Sequence, residues 1–129
     1  MKRCAVVGLG LILAICFAGG VWAADKDAIK TQVDEIVVAL DGGKKTEEFT
    51  EAAKREPYYV FIMKEGGHLL VHPSLTGESL KEKAEPVYVE LIKATPEGNW
   101  VDYEWKGSQK HTYVRKTKDG MIVGSGYSD

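Results

Sequence analysis

His68 and His72 stand four residues apart, a spacing that on one helix face brings two imidazoles to a single metal ion. Gly66-Gly67 precedes the pair and Leu69-Leu70-Val71 lies within it, which reads as extended chain. On one face of a strand the two rings root about 13 Å apart, at about 3.3 Å per residue. Zinc holds its nitrogen ligands at about 2.1 Å, so this pair alone binds no ion and no metal site is expected. Ser125 lies between Gly124 and Gly126, but Gly-Ser-Gly is not the Gly-x-Ser-x-Gly of a nucleophile elbow. Glycines that let a strand pack closely explain the triplet better. Asp102 and Glu104 alternate with Tyr103 and share a strand face with Trp100, as solvated carboxylates do. Phosphate-cradling glycine motifs are absent. No catalytic residue, cofactor or enzymatic activity is expected.

What is left is a collection of binding groups: Tyr58, Tyr59, His72, Tyr88, Tyr103, Trp105, Lys110, His111 and Tyr113. Tyrosine and tryptophan offer an apolar body with a polar tip, which suits a pocket greasy at one end and polar at the other. Most of the set falls on or beside expected strands.

The elements that must position these groups follow from periodicity. Ile29, Val33, Ile36, Val37 and Leu40 recur at spacings of three and four, predicting an amphipathic helix over Asp25 to Leu40 that Gly42-Gly43 ends. A second, short helix is expected from Thr46, as N-cap, until Pro57. Tyr58 to Met63 and Leu69 to Val71 form a hairpin candidate around Gly66-Gly67. Leu80 to Lys83 predicts one helical turn, and Pro86 opens another helix in which Val87 and Leu91 align. Three strands follow, Trp100 to Trp105, Thr112 to Lys116 and Met121 to Tyr127, with turns at Gly107-Ser108 and Asp119-Gly120. The sum is an α+β domain: an antiparallel sheet of about five strands, a long N-terminal helix on one face, and a helical insertion between strands 2 and 3. That insertion would roof a pocket on the other face.

The chain has 129 residues, 44% hydrophobic and 28% charged, which is globular composition sufficient for one domain. Lys2 and Arg3 precede a run from Ala5 to Ala18 that is almost wholly apolar, and Val21-Trp22-Ala23 offers a cleavage site. Residues 1–23 are therefore expected to be a signal peptide and 24–129 the mature domain, periplasmic or secreted. An uncleaved anchor is the alternative, as is lipidation at Cys16, where Ile15 departs from the lipobox. Cys4 and Cys16 both fall within the leader, which removes disulfides and thiolate chemistry from the mature domain. Without Lys2 and Arg3 the balance is 15 basic to 19 acidic residues, net −4, and argues against nucleic acid as a partner.

Four segments in order carry a family resemblance. Tyr59-Val60-Phe61-Ile62-Met63-Lys64-Glu65-Gly66-Gly67-His68-Leu69-Leu70-Val71-His72-Pro73 resembles the opening of a single Cache domain, with the Gly77 to Leu80 loop after it. Gly98-Asn99-Trp100-Val101-Asp102-Tyr103-Glu104-Trp105, Lys110-His111-Thr112-Tyr113-Val114 and Ile122-Val123-Gly124-Ser125-Gly126-Tyr127 resemble its later strands. The likeness spans roughly residues 25–129 and is greatest to the Cache type 2 form. It implies a PAS-like extracytoplasmic sensor domain that binds a small molecule, often a short-chain carboxylate. Carried over by position, His72, Lys110, Tyr103, Trp105 and Tyr113 are the ligand-binding candidates. Lys110 and a protonated or donor-tautomer His72 would clamp the carboxylate. Strand alternation sets Lys110 and Tyr113 on opposite faces unless a bulge intervenes. Receptor relatives continue into a transmembrane helix and a signalling module, neither of which follows here. A stand-alone module is expected, passing its bound state to a membrane-bound partner or serving as a periplasmic carrier; the alternative is an interaction protein with a vestigial pocket that docks a membrane receptor or transporter.

Overall fold

A computed structural model describes residues 24–129; the expected leader, residues 1–23, lies outside the described residues. Helix α1 (Lys26–Asp41) is capped by Asp25, whose side chain accepts the Ala28 N–H at 3.0 Å. Its apolar stripe, Ile29, Val33, Ile36, Val37 and Leu40, is buried as its spacing requires. The next segment, Thr46–Lys54, is 3₁₀ rather than α, and begins after Lys45 instead of at a Thr46 cap. Thr50 Oγ1 ties back to the Glu47 carbonyl at 2.9 Å, a local bond that competes with the α-helical pattern.

Strands β1 (Val60–Met63), β2 (Leu69–Val71), β3 (Asn99–Trp105), β4 (Ser108–Lys116) and β5 (Ile122–Ser128) form one antiparallel sheet in the order β2-β1-β5-β4-β3. Between β2 and β3 the chain crosses one face through α2 (Leu80–Lys83) and α3 (Glu85–Leu91). This is the α+β, PAS-like architecture expected, with α1 on the opposite face. Among the described residues no helix is long and apolar enough to cross a membrane.

Two further local details differ from expectation, and both place site residues. The β3–β4 turn is Lys106-Gly107, with φ of 52° and 84°, because Trp105 pairs with Ser108. Such left-handed pairs match the twist of a two-residue hairpin, and the tight link starts β4 four residues sooner than Thr112. In the first hairpin Met63 pairs with Leu69 but Ile62 pairs with Val71, so Leu70 is an extra residue, a β-bulge. The bulge reverses alternation: Leu69 packs with the roofed face, Val71 with the α1 face, and His72 returns to the roofed face. His68 and His72 therefore do not share a face; His68 is exposed and bridges to Ser79.

The sheet separates two cores. Under α1 lie its apolar stripe with Val60, Ile62, Val71, Tyr113 and Val123. On the other face Leu80, Val87, Leu91 and Ala94 of the insertion cover Phe61, Met63, Leu69, Val101, Tyr103, Val114 and Ile122.

Candidate functional site

The roofed face is not completely filled. A narrow, half-open hollow with free space of about 20 Å³ lies between the sheet and the insertion. Tyr59, His72, Tyr103 and Trp105 give it a polar-tipped wall, and Phe61, Leu69, Leu80, Val87 and Leu91 an apolar one. Gly124 makes the floor low: its partner across the ladder is Phe61, whose ring occupies the space a Cβ at position 124 would need.

His72 is held by its own loop. Its Nδ1 accepts the backbone N–H groups of Ser74 and Leu75, each at 3.0 Å, while Thr76 Oγ1 bonds both the N–H and the carbonyl of His72. An Nδ1 that accepts leaves the ring hydrogen on Nε2, a neutral donor tautomer. Burial, then the charges of Lys110 and Lys106, lower its pKa to about 4. Of the two states that sequence left open, the protonated one is disfavoured and the donor tautomer stands. The ring centroid lies 5.8 Å from Tyr59, 6.3 Å from Trp105 and 6.5 Å from Phe61.

Lys110 is 5% exposed, on the β4 face that alternation shares with Thr112 and Val114. Its ammonium donates to Tyr59 Oη at 2.7 Å and stands 4.2 Å from the centre of that ring. Among the described residues no carboxylate forms an ion pair with it. Burial, and secondarily Lys106, push its pKa down to about 8. Lys110 does not line the hollow; Tyr59 does, with the ammonium bonded behind it. Because Tyr59 Oη accepts from Lys110, its own hydrogen is free to donate.

Tyr103 Oη and Thr112 Oγ1 share a buried hydrogen bond of 2.9 Å, and burial raises the Tyr103 pKa, keeping the phenol protonated. Trp105 ends β3 half-buried, with Lys106 Nζ 5.7 Å from its ring centre. Tyr113 is not brought to the hollow. It faces α1, where its hydroxyl donates toward Asp34 Oδ1 at 3.1 Å and the Glu97 carbonyl at 3.3 Å. No bulge interrupts the β4 ladder between Lys110 and Tyr113, so an odd separation puts them on opposite faces. Asp34 also takes Lys30 at 3.0 Å and Arg115 at 3.2 Å. Burial alone would raise that carboxyl, but its bonds to Lys30, Tyr113 and Arg115 outweigh this and lower it.

The structure thus brings together His72, Tyr103 and Trp105, places Lys110 one hydrogen bond behind, and separates Tyr113. Tyr59, one of many aromatics in the sequence, becomes central; its signal was the alternation Tyr59-Phe61-Met63. His111 is a surface group, its two ring nitrogens 2.6 Å from Asp102 and 2.9 Å from Asp129. Chemically the hollow offers neutral donors backed by a buried positive charge, beside hydrocarbon, with no nucleophile aligned on a base.

Similarity to known proteins is visible in structure only. No family model matches the chain, and no curated protein matches it. A methyl-accepting chemotaxis protein from Vibrio parahaemolyticus has the same fold, with a TM-score of 0.55 at 19% identity over 80% of this chain and 87% of that one. The extracellular domain of a histidine kinase (18% identity, TM-score 0.46) and the ligand-binding domain of Mlp24 with asparagine (13%, 0.45) are more distant. The matches cover 64% and 66% of this chain but only 36% and 35% of those.

Proposed function

We propose that the chain is a secreted sensor module of the single Cache type. It binds a short-chain carboxylate in the roofed hollow and passes its bound state to a membrane receptor or transporter. One observation carries this reading: among the described residues Lys110 is buried without a counter-charge, behind a tyrosine that accepts from its ammonium. A buried unpaired cation is costly, and an anion in the hollow would relieve it. The fold shared with a chemoreceptor domain supports a sensing role.

In the bound state Tyr59 Oη and His72 Nε2 donate to the carboxylate, Lys110 polarises Tyr59, and Trp105 covers the aliphatic part. Lys110 thereby acts through Tyr59 rather than by touch. Tyr113 leaves the ligand set and braces α1. A ligand of four to six heavy atoms has a ceiling of roughly −6 to −9 kcal/mol, or tens of micromolar to sub-micromolar affinity. Ligand binding shifts the population toward whichever conformation grips it better, and a partner that distinguishes the two conformations reads that shift.

A thermal-shift screen of short carboxylates, amines and amino acids tests the reading. Carboxylates at millimolar concentration should raise the melting temperature; no stabilisation by any of them overturns it. The narrowness of the hollow favours a second reading, a docking protein with a vestigial pocket. Ligand-independent capture of one envelope protein would support that alternative.

A further inference from the structure

The hollow alone is small, and its floor is occupied by the Phe61 ring. An open surface groove adjoins it, between the α2–α3 junction and the β3–β4 hairpin. The two spaces share three wall residues, Val87, Tyr103 and Trp105, and are therefore neighbours across those side chains. On the insertion side the groove is walled by Ala84 and Pro86, both apolar. Across from them Gly107 contributes no side chain, and Lys106 carries its ammonium back over Trp105. The groove is wider and more open than the hollow, and its wall joins apolar Ala84, Pro86 and Val87 to the charged residues Glu104 and Lys106.

We propose that this groove is a second subsite, which takes the apolar tail of a monocarboxylate whose head is held by Tyr59 and His72. The inference rests on the carboxylate reading above and narrows it. The preferred ligand is amphipathic, with a straight or aromatic tail of about five to eight carbons, rather than a two- or three-carbon acid. Each methylene drawn from water into the groove strengthens binding about three- to fourfold, until the groove is full.

The test is calorimetric titration of the purified protein with acetate, butanoate, hexanoate, octanoate and phenylacetate. The wild type is compared with Ala84→Asp. Position 84 lies in the groove wall and precedes α3, so aspartate there brings a negative charge to the apolar tail. Affinity should climb with chain length in the wild type, at least tenfold from butanoate to hexanoate. In Ala84→Asp the climb should vanish, and acetate, which stops short of the groove, should lose less affinity than hexanoate does. Affinity that peaks at two or three carbons, or a length dependence that survives Ala84→Asp in a folded variant, overturns the groove and leaves the carboxylate reading standing. Failure of every acid, short and long, overturns both.

Discussion

Replacing Lys110 by methionine should make the protein more stable and deaf to its ligand. In the folded chain Lys110 loses its proton near pH 8 instead of the ordinary 10.5, with burial the main cause. At 1.36 kcal/mol per pH unit this interval amounts to about 3 kcal/mol of cost at neutral pH. Methionine fills a similar volume without charge, but forfeits the bond to Tyr59 Oη, about 1 kcal/mol. The expected net gain is about 1–2 kcal/mol at pH 7, read from urea denaturation followed by tryptophan fluorescence. The sign of the pH dependence is fixed. Between pH about 8 and 10.5 the unfolded chain holds a proton that the folded chain has released, so wild-type stability climbs there. Lys110→Met lacks that climb, and its advantage should close by pH 10.5. A variant less stable than the parent at pH 7, or an advantage unaltered across this range, refutes the claim that Lys110 is an unpaired buried cation.

The other histidine and lysine partners give further tests. His72→Asn keeps an acceptor for the Ser74 and Leu75 amides and should remove the acid-side loss of stability between pH 6.5 and about 4, where the unfolded imidazole binds a proton and the folded one does not. That loss is about 1–2 kcal/mol in the wild type after allowance for the ring's partial solvent contact. His111 works in the other direction. Hydrogen bonding to Asp102, then Asp129, raises its pKa, so its contribution is present below pH 6.5 and fades as pH rises through the folded value. Because both its carboxylate partners are solvent-exposed, His111→Gln should cost under about 1 kcal/mol at pH 6 in chemical denaturation. Tyr113→Phe should cost about 1–2 kcal/mol through Asp34, with carboxylate affinity in calorimetry unchanged; a tenfold loss of affinity would return Tyr113 to the site. Gly124→Ala drives a methyl into the Phe61 ring and should cost about 1–3 kcal/mol by urea melts.

The helix α1 was legible because a two-heptad stripe of five apolar residues has only one helical solution, and the later hairpins because their turns carry glycine at Gly107 and Gly120. The opposed faces of Lys110 and Tyr113 followed from alternation alone. The side on which His72 falls did not. Its placement depends on Leu70 bulging out of a hairpin pinned by the Lys64 N–H to the His68 carbonyl, 2.8 Å, and by the His68–Ser79 bridge, pairings that no local residue preference announces. The isolation of Lys110 was hidden for a related reason. It depends on which strands flank β4, and there Tyr103 and Ser128 lie opposite it, neither of them acidic. The roof residues Leu80, Val87 and Leu91 were visible as apolar positions on helical turns, but what they cover is a matter of tertiary placement.

Ser125, flanked by the glycines that let β5 pack closely, has a wider consequence. Its hydroxyl donates to the Tyr59 carbonyl at 2.7 Å and accepts from Gln32 of α1 at 2.8 Å; Gln32 in turn accepts from Arg55 at 3.0 Å. The residue whose ring closes the hollow is thus tethered, through its main chain, to the far layer of the molecule. A ligand that shifts the Tyr59 main chain has to stretch this tether, and a protein clasping α1 has to pull on its other end. Binding free energies are reciprocal, so such a protein would sharpen or blunt ligand affinity by the same factor by which the ligand alters the clasp.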